Sequence, residues 1–459
     1  MIRHRSRSSP PLAARGRGRA AARIASSTFC EARRRVLPNG LRVLTVPAPG
    51  LHSAMIALYV RAGSRHESAE VNGVSHFLEH LFFRGSQAWP DTVAMNAAVE
   101  SVGGNLNGIT ARDHGCYYTP LHPGELATGL AILGDMIRRP LLREMDVERE
   151  IILEEILDEV DGDGRDIDAD NLSKRLAFGS HALGFKIAGT PEIIRGIREQ
   201  DVRAHHDRYY VGANLVLCVA GPVRESEVLD LAMEHLGALP RGRLSRDVAP
   251  PPWPEGPRLE HVDHDDAQSE LCLNFPCPPE HHPDYPVHLV IRRILDDGLS
   301  SRLPFEVVER RGLAYSLHAG IDAFADCGMF AVDGACAPRK LPRVASEILR
   351  VLGELTAREV REEELLRVQR RHRMTLAFSL DSAAELAGWY GSGEVLHAPE
   401  GFEERCRRVE AVTAADIRRV ARATFTRHNL VGVFVGPSTG RSRRELERAI
   451  LQADLPARP

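Results

Sequence analysis

Lysine is almost missing from this sequence: Lys174, Lys186 and Lys340 are the only ones in 459 residues. Arginine supplies the remaining positive charge, which reads as a genomic base-composition bias and carries no mechanistic meaning. No Cys-x-x-Cys pair occurs among the eight scattered cysteines, and most of them sit in apolar runs, so buried free thiols in a reducing compartment are expected. No apolar run reaches the length of a membrane span, and no stretch has the apolar core of a secretory signal. An excess of basic charge is lacking too. A formal net charge of -4 speaks against a nucleic-acid surface spread over the whole molecule.

What is present is an ordinary globular balance, 43% hydrophobic and 27% charged, on a chain too long for a single core. The exception is the start. Arg3, Arg5, Arg7, Arg15, Arg17, Arg19 and Arg23 lie among Ser, Ala, Gly and Pro without an acidic residue. That composition fits either an organelle transit peptide or a disordered bacterial tail.

Folded sequence is expected from about Arg35, where Val36 to Leu44 reads as a strand, an Asn39-Gly40 turn and a returning strand. Ser53 to Arg61 is a second strand. From Asn72 to Arg84 the spacing becomes helical, with Val74, Phe77, Leu78, Leu81 and Phe82 on one face. Gly103 to Pro120 reads as two extended pieces around a turn, Gly124 to Arg138 as a helix closed by Pro140, and Asp146 to Val160 as another helix, burying Ile151, Ile152 and Ile156.

Residues 201–222 align without gaps onto 416–437, with seven identities in an Asp-[Val/Ile]-Arg, Asn-Leu-Val and Gly-Pro pattern. Helix, loop and strand are expected in both copies, near the end of each half of a duplicated chain. Between the copies, Leu239 to Leu259 is rich in Pro and Gly and reads as a semi-rigid linker. The expected division is an Arg-rich extension at 1–34, a first domain at 35–238, a linker at 239–256 and a homologous second domain at 257–459.

The chemistry is concentrated in His76-Phe77-Leu78-Glu79-His80. On a helix, two imidazoles four residues apart share a face and reach one ion, and Glu79 projects beside them. Zinc suits such a corner, and the carboxylate is placed to act as a general base. A third protein ligand must come from another element. The helix from Asp146 offers Glu148, Glu150, Glu154, Glu155 and Glu159, of which Glu148, Glu155 and Glu159 share one face by spacing.

The segments Val74 to Ser86 and Glu148 to Ile156 together resemble the two metal-site helices of the pitrilysin or insulinase-like family, the inverted-motif zinc peptidases. The resemblance covers nearly the whole chain from Arg35, and its nearest branch is the mitochondrial-processing-peptidase-like one. It implies an α+β fold: two homologous α/β domains, each a mixed, largely antiparallel sheet with helices on one face. It implies one Zn²⁺ per chain on His76, His80 and Glu155, with Glu155 preferred over Glu154 by helical phase, Glu79 as catalytic base, and Glu148 supporting catalysis from behind the ligands.

Gly103 to Asp113 is similar to the family's edge strand for extended substrate, which carries a substrate-binding role onto Asn107, with Gly108 where alanine is usual. In the metal-free second half, Asp297 to Leu303 and Arg311 to Tyr315 resemble a further family pair, which makes Tyr315 a substrate contact. Its usual arginine companion is replaced by Val308, unless Arg310 or Arg311 substitutes. The resemblance implies a zinc endopeptidase acting on extended or unfolded peptides, as a homodimer or a heterodimer with a related chain. The alternative it allows is a non-catalytic zinc-binding partner or scaffold subunit. The expected location is the bacterial cytoplasm, or the mitochondrial matrix if the Arg-rich start is a transit peptide.

Overall fold

The computed structural model describes residues 30–396 and 399–458, so most of the Arg-rich extension lies outside the described residues. Strand pairing begins at Arg33, ahead of the expected Arg35. The Asn39-Gly40 turn forms as its chemistry dictates. Gly40 takes a φ of 88°, a region that side chains avoid, and Leu37 N donates to Leu41 O at 2.8 Å, joining β1 (Arg33–Val36) to β2 (Arg42–Pro47).

With β3 (Ala54–Val60), β4 (Asn107–Thr110), β5 (Gly115–Leu121) and β6 (Leu215–Gly221), these strands make a six-stranded sheet in the order β1-β2-β6-β3-β5-β4. Every neighbouring pair is antiparallel except β2 with β6. The second sheet comprises β7 (Arg258–Val262), β8 (Ser269–Cys277), β9 (Ser316–Ala323), β10 (Gly328–Cys336) and β11 (Val431–Val435), in the order β7-β11-β8-β10-β9. Here β7 and β11 are the parallel pair. Residues 240–257, between the two sheets, run without helix or strand. The fold is α+β, as expected, and no helix among the described residues is long and apolar enough to cross a membrane.

Three of the identical pairs in the internal repeat have a shared physical explanation. The repeat falls on helix Glu199–Tyr209 and β6, and on helix Ala414–Thr424 and β11. Asp201 and Asp416 both cap their helix, accepting from Arg198 N at 2.9 Å and Thr413 N at 3.2 Å. Asn214 and Asn429 tie the loop back to the helix end, through Tyr209 O at 2.9 Å and Thr424 O at 3.0 Å. Gly221 and Gly436 have φ of 133° and 137°. An added Cβ there would lie 2.8 Å from Cα of Ala54 or 2.7 Å from Cα of Ser269, the first residues of the neighbouring strands β3 and β8.

Each sheet is covered on one face by helices of its own half. The other face of the first sheet is covered from the second half. There Leu386, Ala387 and Tyr390 of helix Ala383–Leu396 pack on Leu44, Ala57 and Cys218, and Tyr59 Oη donates to Ala387 O at 3.2 Å. This is why β3 and β6 are buried along their whole length. Gly391 allows the close approach, since a Cβ there would run into the Tyr59 ring. In return, Leu172 on helix Ala169–Phe178 of the first half packs on Val433 and Val435 of β11, while the buried Lys174 bridges Asp170 (2.6 Å) and Asp322 of the second half. Periodicity along the chain gives no sign of this exchange.

Candidate metal centre

The motif helix runs from Val74 to Phe82. Phe77, Leu78, Leu81 and Phe82 are fully buried and fix its rotation, which leaves His76, Glu79 and His80 on the half-buried face. Its N-terminus is tied by a residue that the sequence reading missed. Buried Glu67 accepts from Gly73 N and Ser75 N, both at 2.7 Å, and from Asn72 Nδ2 at 2.9 Å. A carboxylate there satisfies helix N–H groups that lack an intrahelical partner and suits the positive end of the helix dipole. Only a local Glu-x5-Gly spacing could have signalled it.

Opposite lies the helix Met145–Leu157. It brings Glu155 to the corner: Glu155 Oε2 is 3.7 Å from His76 Nε2 and 3.6 Å from His80 Nε2, while the two Nε2 atoms are 3.3 Å apart. Ligands at 2.0–2.1 Å in tetrahedral array have edges of about 3.3–3.4 Å, so the donor spacing fits a zinc ion. Among the described residues this is the one cluster of three or more such groups able to hold a metal. With His80 Nδ1 engaged by Glu148, the two Nε2 atoms and the Glu155 carboxylate converge on one point, and this convergence of ligating atoms is the observation that tests the fit. His80 Nδ1 is oriented from behind by Glu148 Oε2 at 2.9 Å, the carboxylate–histidine pairing that fixes the tautomer of a metal-binding ring. Arg84 holds the other oxygen of Glu148 and pairs with Glu144 at 2.9 Å.

The electrostatics follow from burial and these partners. Burial and the neighbouring His80 push the His76 ring down to about 4, leaving it neutral and able to ligate. Burial would lower His80, but the Glu148 hydrogen bond and the Glu155 charge outweigh it and raise the ring. Burial would raise Glu148, but its hydrogen bonds to His80 and Arg84 hold it below the usual carboxylate range. Glu79 lies above that range because burial dominates, offset in part by a hydrogen bond from Thr110 Oγ1 and by the His80 charge. Thr110 is on β4, so the edge strand touches the base directly. Gly108 on the same strand leaves room for it, since a Cβ there would lie 2.9 Å from Glu79 Cγ.

The remaining expected residues are placed differently. Asn107 opens β4 and its amide donates to Asn105 O at 3.1 Å. Tyr315 stands 91% exposed just ahead of β9, with no hydrogen bond or ring contact among the described residues. Arg310 and Arg311 are both engaged by Glu306, and Arg311 also by Glu347 at 3.0 Å, so neither is free to stand in beside Val308. Two details of the second helix need correction. Ile151 is exposed, because only Ile152 and Ile156 face the core, and Glu159 lies beyond the helix end, paired with Lys186 at 2.8 Å. Glu154 is exposed, as Glu155 is, but is not among the groups that close on the corner.

Two like halves, one bearing a His-x-x-Glu-His helix backed by a second acidic helix, define the class of inverted-motif metallopeptidases. Residues 42–190 match the model of the insulinase family, peptidase family M16, and residues 196–371 match the model described as the peptidase M16 inactive domain. An uncharacterised zinc protease of Mycobacterium bovis is 33% identical over 427 residues, 91% of this chain and 96% of the relative. The mitochondrial-processing peptidase subunit beta of Blastocladiella emersonii is 29% identical, with 87% and 88% covered. A protease from Helicobacter pylori has the same fold, with a TM-score of 0.79 at 22% identity over 89% of this chain and all of that one. The chain belongs to the M16, insulinase-like family of zinc peptidases.

Proposed function

We propose that this chain is a zinc endopeptidase that cleaves extended or unfolded peptides, with His76, His80 and Glu155 holding one Zn²⁺ and Glu79 as the general base. The observation that carries this reading is the corner itself: three donor atoms spaced for one ion, a carboxylate orienting one of them, and Glu79 on the same helical face. A zinc ion there supplies Lewis acidity, polarising an amide carbonyl and making water acidic enough to lose a proton near neutrality.

The chain's own groups do the rest. Glu79, raised by burial, accepts the proton of the attacking water and returns it to the amide nitrogen as the C–N bond breaks. Thr110 restrains its carboxylate. Glu148 fixes the His80 ring and keeps Nε2 directed at the ion. Among the described residues strand β4 pairs only with β5, which leaves its other edge for main-chain pairing with an extended substrate beside Asn107. In this reading 35–238 is the zinc-bearing domain, 239–256 a linker, and 257–459 a substrate-binding wall. Tyr315, fully exposed, is a contact completed by substrate or by a second chain, in a homodimer or a heterodimer with a related subunit. We place the protein in the bacterial cytoplasm, in keeping with its bacterial relatives, or in the mitochondrial matrix if residues 1–34 are a transit peptide.

Val308, with Arg310 and Arg311 both engaged elsewhere, favours one other reading, a zinc-binding partner or scaffold subunit without turnover. Purified protein of native size, analysed for zinc and incubated with a quenched peptide library, decides between them. Stoichiometric zinc with chelator-sensitive cleavage is expected. Zinc without cleavage, alone or with a related subunit, would leave the scaffold reading standing.

A further inference from the structure

In the second half, the helices Tyr285–Leu295 and Glu362–Ser379 stand where the first half has its two metal-site helices. Gly85 and Gly298 follow the first helix of each pair with φ of 122° and 99°. Laying one on the other puts Phe77, Leu78, Leu81 and Phe82 onto Val290, Ile291, Ile294 and Leu295, all buried, and His80 onto Arg293. Laying buried Glu148, Ile152 and Ile156 onto buried Glu364, Val368 and His372 puts Glu155 onto Arg371. Where the first half gathers groups for a cation, the second gathers cations.

A cavity of about 200 Å³ opens at this helix pair, reaching helix Phe402–Glu410. Arg293, Arg405, Arg408 and His372 line it, with Leu289 and Leu376 on its apolar side. Arg405 pairs with Glu280 at 2.9 Å and Arg408 with Glu400, while Arg293 (2.9 Å) and Arg371 (3.1 Å) share Asp297. Among the described residues these pairs set four arginines against three carboxylates. Yet Nε of Arg293, Nε of Arg405 and both ring nitrogens of His372 are buried without a hydrogen-bond partner. His372 is 4% exposed and Arg293 9%. Buried donors are paired in folded proteins unless something else meets them.

We propose that this cavity binds a carboxylate carried on a small apolar body. The guanidinium groups of Arg293 and Arg405 hold the carboxylate, a small side-chain shift bringing their unpartnered Nε–H groups and a His372 ring N–H to its oxygens, while Leu289 and Leu376 receive the apolar part. A small excess of arginine over carboxylate among the described residues, beside an apolar wall, suits a monoanion of this kind better than a phosphate. Burial, with Arg293 and Arg405 nearby, keeps His372 neutral, its ring lowered to about 4 against the opposing pull of Asp297, so it donates through a single N–H. Two sources share this chemistry, a free aliphatic acid and the C-terminal carboxylate of a peptide with an apolar last residue. The proposal does not depend on the metal corner being catalytic.

The experiment is titration of the full-length protein with N-acetyl-leucine, N-acetyl-leucinamide and two pentapeptides ending in leucine, one with a free and one with an amidated C-terminus. Saturable binding of the acid is expected, with the amide weaker by about tenfold or more, and a similar loss in His372→Leu and Arg405→Gln. A free-acid pentapeptide that binds at least as tightly as N-acetyl-leucine identifies a peptide end as the source. One that binds about tenfold more weakly identifies a free acid. No saturation by about 10 mM, equal binding of acid and amide, or unchanged binding in folded variants would overturn the site. Should either variant fail to fold, the His372 ring resonances of the wild-type protein decide, since the acid must shift them and the amide must not.

Discussion

The two halves are built on one frame and differ where charge is placed. Both keep a buried glutamate on the second helix of the pair, Glu148 in one and Glu364 in the other. In the first half it receives His80 and Arg84; in the second it is gripped at both oxygens by Arg302, at 2.9 and 2.8 Å. The glutamate is therefore a structural anchor of the duplicated unit, and the residue facing it sets the chemistry. A histidine there leaves a free nitrogen for a metal, whereas an arginine closes the site with a bidentate ion pair.

The sharpest way to break this comparison is at the base. Glu79→Gln keeps the shape and removes the proton acceptor, so turnover on a quenched peptide should fall by roughly 10²–10⁴-fold with zinc content unchanged. Laid on the second half as before, Glu79 corresponds to Arg292, whose Nε donates to Ala319 O at 3.0 Å. Arg292→Gln should leave both zinc and turnover intact. Full activity in Glu79→Gln would remove it from the mechanism. The next largest effect is at the anchor. Glu148→Gln should weaken zinc binding by about 10–100-fold in a competition assay, because the His80 ring loses its orienting charge. Glu364→Gln should leave zinc affinity alone while costing about 1–3 kcal/mol of stability, since Arg302 stays partly buried without its partner. Equal effects on zinc from the two variants would show that the halves are not chemically distinct.

Much of this arrangement is legible in the sequence because it is local. Helical spacing alone turns His76, Glu79 and His80 to one side, and the Asn39-Gly40 turn and the repeat at 201–222 and 416–437 are written in residues with few alternative conformations. The position of Glu155 against the corner is a tertiary matter. Spacing narrowed it to one helical face but could not separate it from Glu159, which the end of the helix at Leu157 turns toward Lys186. Ile151 misled because an isoleucine beside two buried ones reads as core, whereas the helix has room for only one narrow apolar stripe. Glu67 and Thr110 act on the motif helix from other elements, and the exchange of helices between sheets joins residues more than a hundred positions apart, beyond the reach of any periodicity.

A third difference between the halves is acid sensitivity. Within the repeat, His205 of the first half aligns with Val420 of the second, and both are buried. Burial, reinforced by the charges of His66, His206 and Arg208, lowers the His205 ring from 6.5 to about 3. Between those values the unfolded chain binds a proton that the folded chain refuses. The stabilisation is complete above about pH 6.5 and drains away as the pH falls toward about 3, amounting to about 2 kcal/mol lost by pH 5. His205→Val should flatten the urea midpoint between pH 7.5 and 5. The absolute stability also changes, because Ser75 Oγ loses its partner at 3.1 Å, so the slope is the readout. An unchanged slope would mean that His205 is not the source.

The smallest effect tests whether the shared frame is also shared in energy. Asn214 and Asn429 make the same bond to the end of the preceding helix, but Asn214 also donates to Arg61 O at 3.0 Å and accepts from Ser245 N and Oγ at 3.0 and 2.9 Å. Ser245 lies in the stretch between the sheets, so the first copy pins that segment through its asparagine side chain, whereas the second holds it through main-chain carbonyls, Asn429 O accepting from Trp253 Nε1 and His428 O from Gly256 N, both at 2.7 Å. Asn429→Ala should cost about 1–2 kcal/mol, and Asn214→Ala roughly 1 kcal/mol more. Ser245→Ala combined with Asn214→Ala should then show a coupling of about 0.5–1 kcal/mol, while the same serine change with Asn429→Ala should be additive. Additivity in both pairs would mean that the inter-sheet segment is held by Asp247, which pairs with Arg61, Arg65 and His66. The difference between the halves would then reside in charge alone.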